Sequence, residues 1–294
     1  MDEPDFSFRN STIAIIGLGL MGGSLALALR ANKACAQISG IETNASTRTE
    51  ALACGAVDQA SDDLTLVAQA DMIVLATPVR TIIDLLPRIG NIARDGAIII
   101  DLGSTKREIV EAMENFPARV QAIGGHPMCG KETSGFGSAD TNLFRNAIFA
   151  LTPLKRTSKQ TISFARAIIE AIGAQPLVID AERHDQIVAT TSHLPFVVAS
   201  ALMAVASEQA DQDELLYRFA ASGFRDTSRL AVSDATMMSD IVLTNRANVI
   251  KMLRHYSAQL EILTHLIEHA DAPTLRARFN TIAESRQKFF RRST

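Results

Sequence analysis

Gly17-Leu18-Gly19-Leu20-Met21-Gly22 directly follows an apolar run at Thr12–Ile16 and opens a helical run at Gly23–Arg30. The GxGxxG spacing carries meaning only in this strand, turn and helix context. The first glycine permits the tight turn, the second lets the backbone approach a pyrophosphate, and the third lets helix and strand pack closely. The helix N-terminus attracts the anion. The segment predicts a dinucleotide site with these cofactor contacts: Gly17, Gly19, Leu20, Met21 and Gly22.

An acidic residue at the end of the second strand is the next feature of such a site. Glu42 closes the predicted strand Gln37–Ile41. A carboxylate there can hold the ribose 2′-OH of NAD and repels the 2′-phosphate of NADP. Arg48 lies close enough in sequence to partner a phosphate, so NADP stays possible. Loops at the ends of later strands should line the same crevice, which adds as cofactor contacts Thr77, Pro78 and Ser104.

Short apolar strands alternate with amphipathic stretches in the first part of the chain. The predicted strands are Thr12–Ile16, Gln37–Ile41, Met72–Ala76, Ala97–Asp101, Val120–Ile123 and Ala147–Leu151, with Leu177–Ile179 as a further candidate. Nearly apolar strands at this spacing are typical of a parallel sheet covered on both faces by helices. We therefore predict an α/β fold, a Rossmann-type doubly wound parallel sheet, over residues 1–180.

Long helical stretches replace this pattern in the rest of the chain, where Gly223 is the only glycine after position 173. The predicted stretches are Glu182–Ser207, Ser239–Ala270 and Pro273–Lys288. Alanine and aliphatic residues dominate them, and two are long for the appendage of a monomer. We predict an all-helical dimerisation domain over residues 181–294 that makes a homodimer; packing of these helices on the first domain is the alternative.

Charge and cysteine usage limit the classes of protein. With 29 Lys+Arg against 32 Asp+Glu, the net charge of −3 offers no basic excess for nucleic acid. Cys35, Cys54 and Cys129 are odd in number and form no CxxC or zinc spacing, which indicates reduced thiols and a cytoplasmic protein. The uncharged run Asn10–Leu29 is long enough for a signal peptide or membrane anchor. Glycines interrupt this run, so we expect a strand, a turn and a helix there. No membrane partner is expected.

Histidines supply the candidate chemistry. His126 follows the strand Val120–Ile123, which places it at the ligand crevice, and an imidazole can act there as a general base. Cys129 could instead indicate a Cys–His hydrolase, but neighbours in one loop rarely reach the required geometry. His265 and His269 share a helix face and could hold a metal. An exposed face without metal is expected.

Two later segments allow both a functional and a structural interpretation. Pro195 breaks the backbone hydrogen bonding of its predicted helix and frees the Thr191 carbonyl. In the functional interpretation, the break marks a functional surface. In the structural interpretation, His193 is a buried side chain that hydrogen-bonds to the freed carbonyl. Arg225 and Arg229 lie four residues apart on one predicted helix face. They could hold a carboxylate or make surface ion pairs.

Together these segments resemble the prephenate/arogenate dehydrogenase family of tyrosine biosynthesis. The matching segments are Gly17–Ser24 (GLGLMGGS), Asp101–Lys106 (DLGSTK), His126–Glu132 (HPMCGKE), Ser192–Pro195 (SHLP) and Gly223–Arg229 (GFRDTSR). They stand in the family's order and spacing over nearly the whole chain. The resemblance implies a Rossmann domain, a helical dimerisation domain and an active site in the cleft between them. It also implies NAD-dependent oxidative decarboxylation of prephenate to 4-hydroxyphenylpyruvate, with arogenate as the alternative substrate.

The resemblance also implies roles for individual residues. His126 corresponds to the catalytic histidine that accepts the proton of the C4 hydroxyl, and Ser104 to the serine that positions it. Ser192 matches a residue near the nicotinamide, and Arg229 matches the arginine that grips the ring carboxylate. The remaining expected substrate contacts are Lys131, Glu132, His193 and Phe196.

The sequence departs from the family pattern where the substrate side chain is expected. Many members that use prephenate have a second histidine where this chain has Phe196, and a tryptophan frequent after the arginine motif is missing. These features look closer to cyanobacterial-type arogenate dehydrogenases, although Glu42 does not suit their NADP preference. A regulatory ACT domain or fused chorismate mutase is not expected.

Two other functions are less consistent with the sequence. A β-hydroxyacid dehydrogenase also joins a Rossmann domain to a helical one, but its catalytic lysine is expected on the first long helix. Glu182–Ser207 contains no lysine. A catalytically silent NAD-binding scaffold would explain the glycine loop but would leave the HPMCGKE and SHLP segments without a role.

Overall fold

Eight strands lie in one sheet of the computed structural model, which describes residues 8–291. They are β1 (Thr12–Ile16), β2 (Gln37–Ile41), β3 (Gln59–Ser61), β4 (Met72–Leu75), β5 (Ile98–Asp101), β6 (Gln121–Pro127), β7 (Ile148–Pro153) and β8 (Gln175–Val178). Their order across the sheet is β3-β2-β1-β4-β5-β6-β7-β8. All neighbouring strands are parallel except β6 and β7. The predicted doubly wound sheet is therefore confirmed.

Helices account for most of the remaining described residues. The α-helices are α1 (Leu20–Ala31), α2 (Ala45–Ala53), α3 (Val79–Ile92), α4 (Arg107–Met113), α5 (Lys159–Ala171), α6 (Ala181–Val188), α7 (Leu194–Ala210), α8 (Leu215–Phe219), α9 (Ser222–Ser228), α10 (Ala235–Thr244), α11 (Arg246–Glu268) and α12 (Ala272–Arg291). Several begin at side chains that accept their free backbone N–H groups, as Asn44 does for α2 and Asp180 for α6.

The central strands are buried on both faces. In β1, Ile13 and Ile15 belong to one buried apolar cluster, whereas Ala14 and Ile16 belong to another. Successive side chains of a strand point to opposite faces, so the two clusters lie on opposite faces of the sheet. This arrangement explains why the strands have continuous rather than alternating apolar sequences.

The sheet differs from the prediction mainly at three strands. β6 continues to Pro127, four residues beyond the predicted end at Ile123, so His126 lies within a strand and not in the loop after it. β3 was not predicted, because its three residues Gln59–Ser61 contain no apolar run. β7 runs antiparallel to β6, whereas all strands were expected to be parallel. Between these two strands the chain forms only the short 3-10 turn Phe136–Ser138. A parallel connection needs a crossover, usually a helix, and without one the chain returns antiparallel.

The helical part is interrupted twice where single helices were predicted. Between α6 and α7, a π-turn at Ala189–His193 accommodates the proline at position 195, and the N–H of Leu194 bonds to the Ala189 carbonyl. The predicted helix Ser239–Ala270 breaks at Asn245, whose side chain bonds to the Asp185 carbonyl at 2.7 Å. The second interruption of a predicted helix therefore lies where a side chain bonds to a distant segment of the chain.

The described residues divide into two compact units, the first ending at Arg246 and the second beginning at Ala247. The first contains the whole sheet and α1 to α10. The second consists of α11 and α12, which are joined by a hydrogen bond from Arg278 to Gln259 of 2.5 Å. The domain boundary expected after residue 180 stays a prediction.

The predicted strand, turn and helix are found in the uncharged segment near the N-terminus, which contributes β1 and most of α1. Within the described residues, one helical run, Ala181–Ala210, is long and apolar enough to cross a membrane by length and composition alone. That run contains the π-turn and the buried polar side chains of His184, Asp185 and His193.

Candidate active site

The glycine turn between β1 and α1 leaves room for a ligand. Gly17 adopts a φ of +90°, and a Cβ on Gly22 would lie 1.9 Å from the Gly17 carbonyl oxygen. Neither position tolerates a side chain. A Cβ on Gly19 would meet nothing within 4 Å, and no side chain caps the N-terminus of α1 there. The open face and the free N–H groups fit a pyrophosphate.

Glu42 lies beside this turn, at the end of β2. Its carboxylate accepts the N–H of Leu18 at 2.9 Å and the N–H of Asn44 at 2.9 Å. It lines a cavity of 610 Å³ together with Gly17, Gly19, Thr77 and Pro78. The carboxylate is therefore held where a ribose could meet it.

Arg48 is turned toward the backbone of this region. Its guanidinium donates to the carbonyl oxygens of Glu42 at 2.6 Å and Thr43 at 2.9 Å, and it lies 3.8 Å from the Asp62 carboxylate. The guanidinium of Arg48, the candidate partner of a 2′-phosphate, is therefore already hydrogen-bonded within the protein. The arrangement fits NAD better than NADP.

A second cavity, of 440 Å³, contains most of the predicted site residues. It shares Gly19, Ala76, Thr77 and Pro78 with the first cavity, so the two are neighbours. The predicted site residues that line it are Gly19, Leu20, Met21, Thr77, Pro78, Ser104, His126, Lys131 and Glu132. Residues from the ends of several strands thus meet at one place.

His126 lies in β6 and lines this second cavity. Its Nδ1 is 2.9 Å from Nε2 of His184, and Nδ1 of His184 is 2.8 Å from the Asp185 carboxylate. His184 and Asp185 are almost fully buried in α6. Ser104 makes no hydrogen bond to His126 in the described part of the chain, and its expected positioning role stays a prediction.

A buried ion pair supports the backbone beside His126. Lys106 and Asp101 are both 0% exposed, and their side chains form a salt bridge. Lys106 also donates to the Gly125 carbonyl at 2.6 Å, while Asp101 accepts the Gly125 N–H at 3.0 Å. Both peptide groups of Gly125 are therefore held, and with them the position of the next residue, His126.

Burial decides the protonation of the site. It holds the pKa of His126 well below the usual value, and the neighbouring basic groups His184, Lys106 and His193 lower it further because they disfavour a second positive charge beside them. Burial lowers the pKa of His193 to about 4 and raises the pKa of Cys129 to about 11. His126 is therefore a neutral base at neutral pH, and Cys129 is a protonated thiol, which disfavours a Cys–His hydrolase.

Charged side chains at the cavity rim are paired. Arg229 begins a 3-10 turn after α9, so the predicted continuous helix ends at Ser228. Its guanidinium forms a salt bridge with Glu132, and both side chains are largely exposed. Lys131 pairs with Asp140 at 3.0 Å. Lys131 and Glu132 line the second cavity, whereas Arg229 is not among its lining residues and contacts it through Glu132.

The SHLP segment lies outside the residues that line either cavity. Ser192 is exposed, and Phe196 packs against one of the two buried apolar clusters. His193 is buried, and its Nδ1 lies 3.2 Å from the Asn245 amide nitrogen rather than bonding to a freed carbonyl. Its Nε2 has no partner in the described structure. The expected cofactor and substrate contacts of these residues stay predictions.

Sequence reasoning missed the residues behind His126. These are His184, Asp185, Lys106 and Asn245. Lys106 belongs to the quoted DLGSTK segment, so a lysine at the start of a helix was visible but had no assigned task. Nothing in the local pattern around position 184 distinguishes its histidine from a surface residue.

A cluster of possible metal ligands lies at the C-terminal end of α11 and in the turn that follows it. Among the described residues, His265, Glu268 and His269 bring their ligand atoms within 4.8 Å of one another on an exposed surface. Nδ1 of His269 donates to the His265 carbonyl at 2.9 Å. The absence of a metal stays a prediction.

Comparison with known families matches both parts of the chain. Residues 25–178 match the family described as prephenate dehydrogenase, nucleotide-binding domain. Residues 180–281 match the family described as prephenate dehydrogenase, dimerization domain. The two matches together cover most of the chain.

Individual relatives agree with these matches. Prephenate dehydrogenase of Bacillus subtilis is 33% identical over 94% of this chain and 75% of its own length. The crystal structure of Aquifex aeolicus prephenate dehydrogenase with hydroxyphenyl propionate and NAD+ is 30% identical, with a TM-score of 0.89 over 95% of this chain and 98% of its own. Synechocystis arogenate dehydrogenase is 32% identical, with a TM-score of 0.81 over 95% and 99%. With its Rossmann sheet, glycine turn and buried histidine site, this chain belongs to the prephenate dehydrogenase family.

Proposed function

We propose that the protein is an NAD-dependent prephenate dehydrogenase of tyrosine biosynthesis, which converts prephenate to 4-hydroxyphenylpyruvate and carbon dioxide. The observation that carries this proposal is His126. It is a neutral imidazole at a cavity that adjoins the glycine turn, with a hydrogen-bonded partner behind it. A positioned base beside a dinucleotide site suits the oxidation of a hydroxyl-bearing carbon.

The residues around the glycine turn fit NAD. The uncapped N-terminus of α1 would hold the pyrophosphate, and Glu42 would hold a ribose hydroxyl. Thr77 Oγ1 is buried without a hydrogen-bond partner among the described residues, so it can bond to a bound cofactor. NAD+, when bound, accepts the hydride that leaves C4 of the substrate.

His126 would hold the proton of the C4 hydroxyl during the reaction. The ring carboxylate leaves as carbon dioxide, and the electron pair of the broken bond completes the aromatic ring as hydride leaves C4. The hydroxyl proton passes to His126 and returns to the phenol oxygen, so no net proton is released. The protein has to supply orientation, one base and cations for the carboxylates.

Arg229 is the proposed partner of the ring carboxylate. In the structure its guanidinium pairs with Glu132, so the incoming carboxylate would replace that pairing. The exchange of one carboxylate for another keeps the cation paired, and Glu132, which lines the cavity, stays a proposed substrate contact. Lys131 lines the same cavity as His126 and would contact the substrate as a second cation.

Arogenate is the second candidate substrate. Phe196 replaces the second histidine that many prephenate-using members carry, and Synechocystis arogenate dehydrogenase is similar over nearly the whole chain. Both substrates share the ring and its carboxylate and differ only in the side chain. The two activities would therefore use the same base and the same Arg229.

Dimerisation through the helical part completes the proposal. Several large apolar side chains of α11 and α12 are exposed in the single chain: Leu260, Ile262, Ile267, Phe279, Ile282, Phe289 and Phe290. Apolar faces of this kind are usually covered by a partner. A second copy of the chain is the proposed partner, and the free cysteines are consistent with a cytoplasmic enzyme.

Steady-state assays test the function directly. NADH formation is followed with prephenate or arogenate as substrate and with NAD or NADP as cofactor. We expect turnover of prephenate with NAD and a higher kcat/KM for NAD than for NADP. Turnover of arogenate alone would replace the proposed substrate with the second candidate. Turnover of neither would refute the function, and a preference for NADP would remove the ribose role of Glu42.

A further inference from the structure

Three side chains form a buried hydrogen-bonded row that ends at the candidate base. Asp185 lies 2.8 Å from Nδ1 of His184, and Nε2 of His184 lies 2.9 Å from Nδ1 of His126. Asp185 is 1% exposed and His184 is 3% exposed, so water does not compete for these bonds. The two imidazole rings meet edge to face at 69°. We call Asp185, His184 and His126 the acid–histidine row.

The row determines which ring nitrogen carries each proton. The Asp185 carboxylate can only accept hydrogen bonds, so His184 must donate from Nδ1. A neutral His184 then has a lone pair at Nε2, which accepts the Nδ1–H of His126. Nε2 of His126 is left unprotonated, and this is the only ring nitrogen of His126 still able to accept a proton.

The Asp185 carboxylate is itself held in place. It accepts the backbone N–H of Lys106 at 2.8 Å and that of Arg107 at 3.0 Å, at the start of α4. The side-chain amide of Asn245 donates to the backbone carbonyl of Asp185 at 2.7 Å. A carboxylate fixed by this many donors can orient the ring next to it.

We propose that His184 and Asp185 are positioning residues for His126, which hold it in the tautomer with Nε2 free and share the charge that it gains. The proposal rests on the function proposed above. When Nε2 of His126 takes the hydroxyl proton, the proton on Nδ1 can shift to Nε2 of His184. The positive charge then lies next to the Asp185 carboxylate, and both shifts reverse when the product oxygen recovers its proton.

Other charged groups near His126 do not supply this stabilisation. Lys106 and His193 are the further basic groups that face it, and neither attracts a positive charge. Asp101 is already paired with Lys106. Asp185 is the carboxylate that the hydrogen-bonded row connects to His126, so it can stabilise an imidazolium formed there.

Two substitutions of His184 separate positioning from packing. In His184→Asn the amide lies near the former Nδ1, so it can bond to Asp185 but cannot reach His126. In His184→Gln the longer side chain places its carbonyl near the former Nε2, where it can accept the Nδ1–H of His126. His269→Asn, in the exposed turn that follows α11, is the matched control.

We expect His184→Asn to lower kcat on the order of tenfold to a hundredfold with little change in KM or in NADH affinity. His184→Gln should recover most of that loss, and His269→Asn should match the wild type. Equal kcat values for His184→Asn and wild type overturn the proposal. So does an equal loss in the Asn and Gln variants.

Histidine-selective 15N spectra of the free protein measure the tautomer without turnover. We expect Nδ1 of His126 to be protonated and Nε2 to be free in the wild type, and a mixture of tautomers in His184→Asn. A wild-type His126 protonated at Nε2 overturns the proposal, even if the Asn variant does not fold. A loss of kcat without a change of tautomer overturns it too. If the wild type does not turn over prephenate, the proposed function is refuted. The spectra still report the tautomer of His126 in that case, so the two failures can be distinguished.

Discussion

Replacing Lys106 by methionine should lower the free energy of unfolding by roughly 3–5 kcal/mol, the usual effect of removing one partner of a buried ion pair. Lys106 and Asp101 are both fully buried. Methionine keeps the unbranched chain and most of the volume, so little of the loss should come from a cavity. The substitution mainly leaves an uncompensated carboxylate in the core.

The remaining partners of Asp101 explain the size of this loss. Its carboxylate still accepts the N–H of Gly103 at 2.8 Å and that of Gly125 at 3.0 Å. These bonds solvate the charge in part but supply no countercharge. The Gly125 carbonyl also loses its bond from Lys106, for which about 1 kcal/mol is a typical contribution. Because Gly125 precedes His126, kcat should fall as well.

Urea unfolding followed by circular dichroism, at one protein concentration for all variants, measures the change. The control Lys155→Met removes an exposed lysine and should change stability by less than about 0.5 kcal/mol. The double variant Asp101→Asn with Lys106→Met removes both charges and should be more stable than Lys106→Met alone. A loss below about 1 kcal/mol in Lys106→Met, or no recovery in the double variant, would refute this reasoning.

Three further predictions concern the site. His126→Asn should keep NADH binding, measured by fluorescence titration, and lose roughly 10²–10⁴-fold in kcat, so a near-normal kcat would remove His126 from the mechanism. Arg229→Ala should raise KM about tenfold or more for prephenate and arogenate alike, because both carry the ring carboxylate, whereas an effect on one substrate alone would assign Arg229 to the side chain. His193 has a pKa of about 4 in the fold against an unfolded value near 6.5, so protonation favours unfolding, and its contribution to stability is lost as pH falls from about 6.5 toward 4. Unfolding measured across this range should show a weaker decline in His193→Asn than in the wild type, and parallel curves would contradict the assignment.

Much of the fold follows from local sequence. β1 and β2 have the bounds that their apolar runs predict, and the glycine turn between β1 and α1 adopts the conformation that its spacing requires. The carboxylate of Glu42 also lies where the end of β2 predicts. These features depend on backbone preferences and burial within a few consecutive residues, which the order of side chains expresses directly.

Contacts between distant segments were decided only by the tertiary structure. The sequence by itself indicated that His126 lies near the end of a buried strand at the ligand crevice, although β6 continues through it to Pro127. Its partner His184 is 58 residues away, and local sequence could not reveal it. The salt bridge between Lys106 and Asp101 and the antiparallel direction of β7 belong to the same class. Local spacing determines which face of an element is buried. Which elements then pack together depends on the summed burial and hydrogen bonding of the whole chain, and no short window of sequence contains that sum.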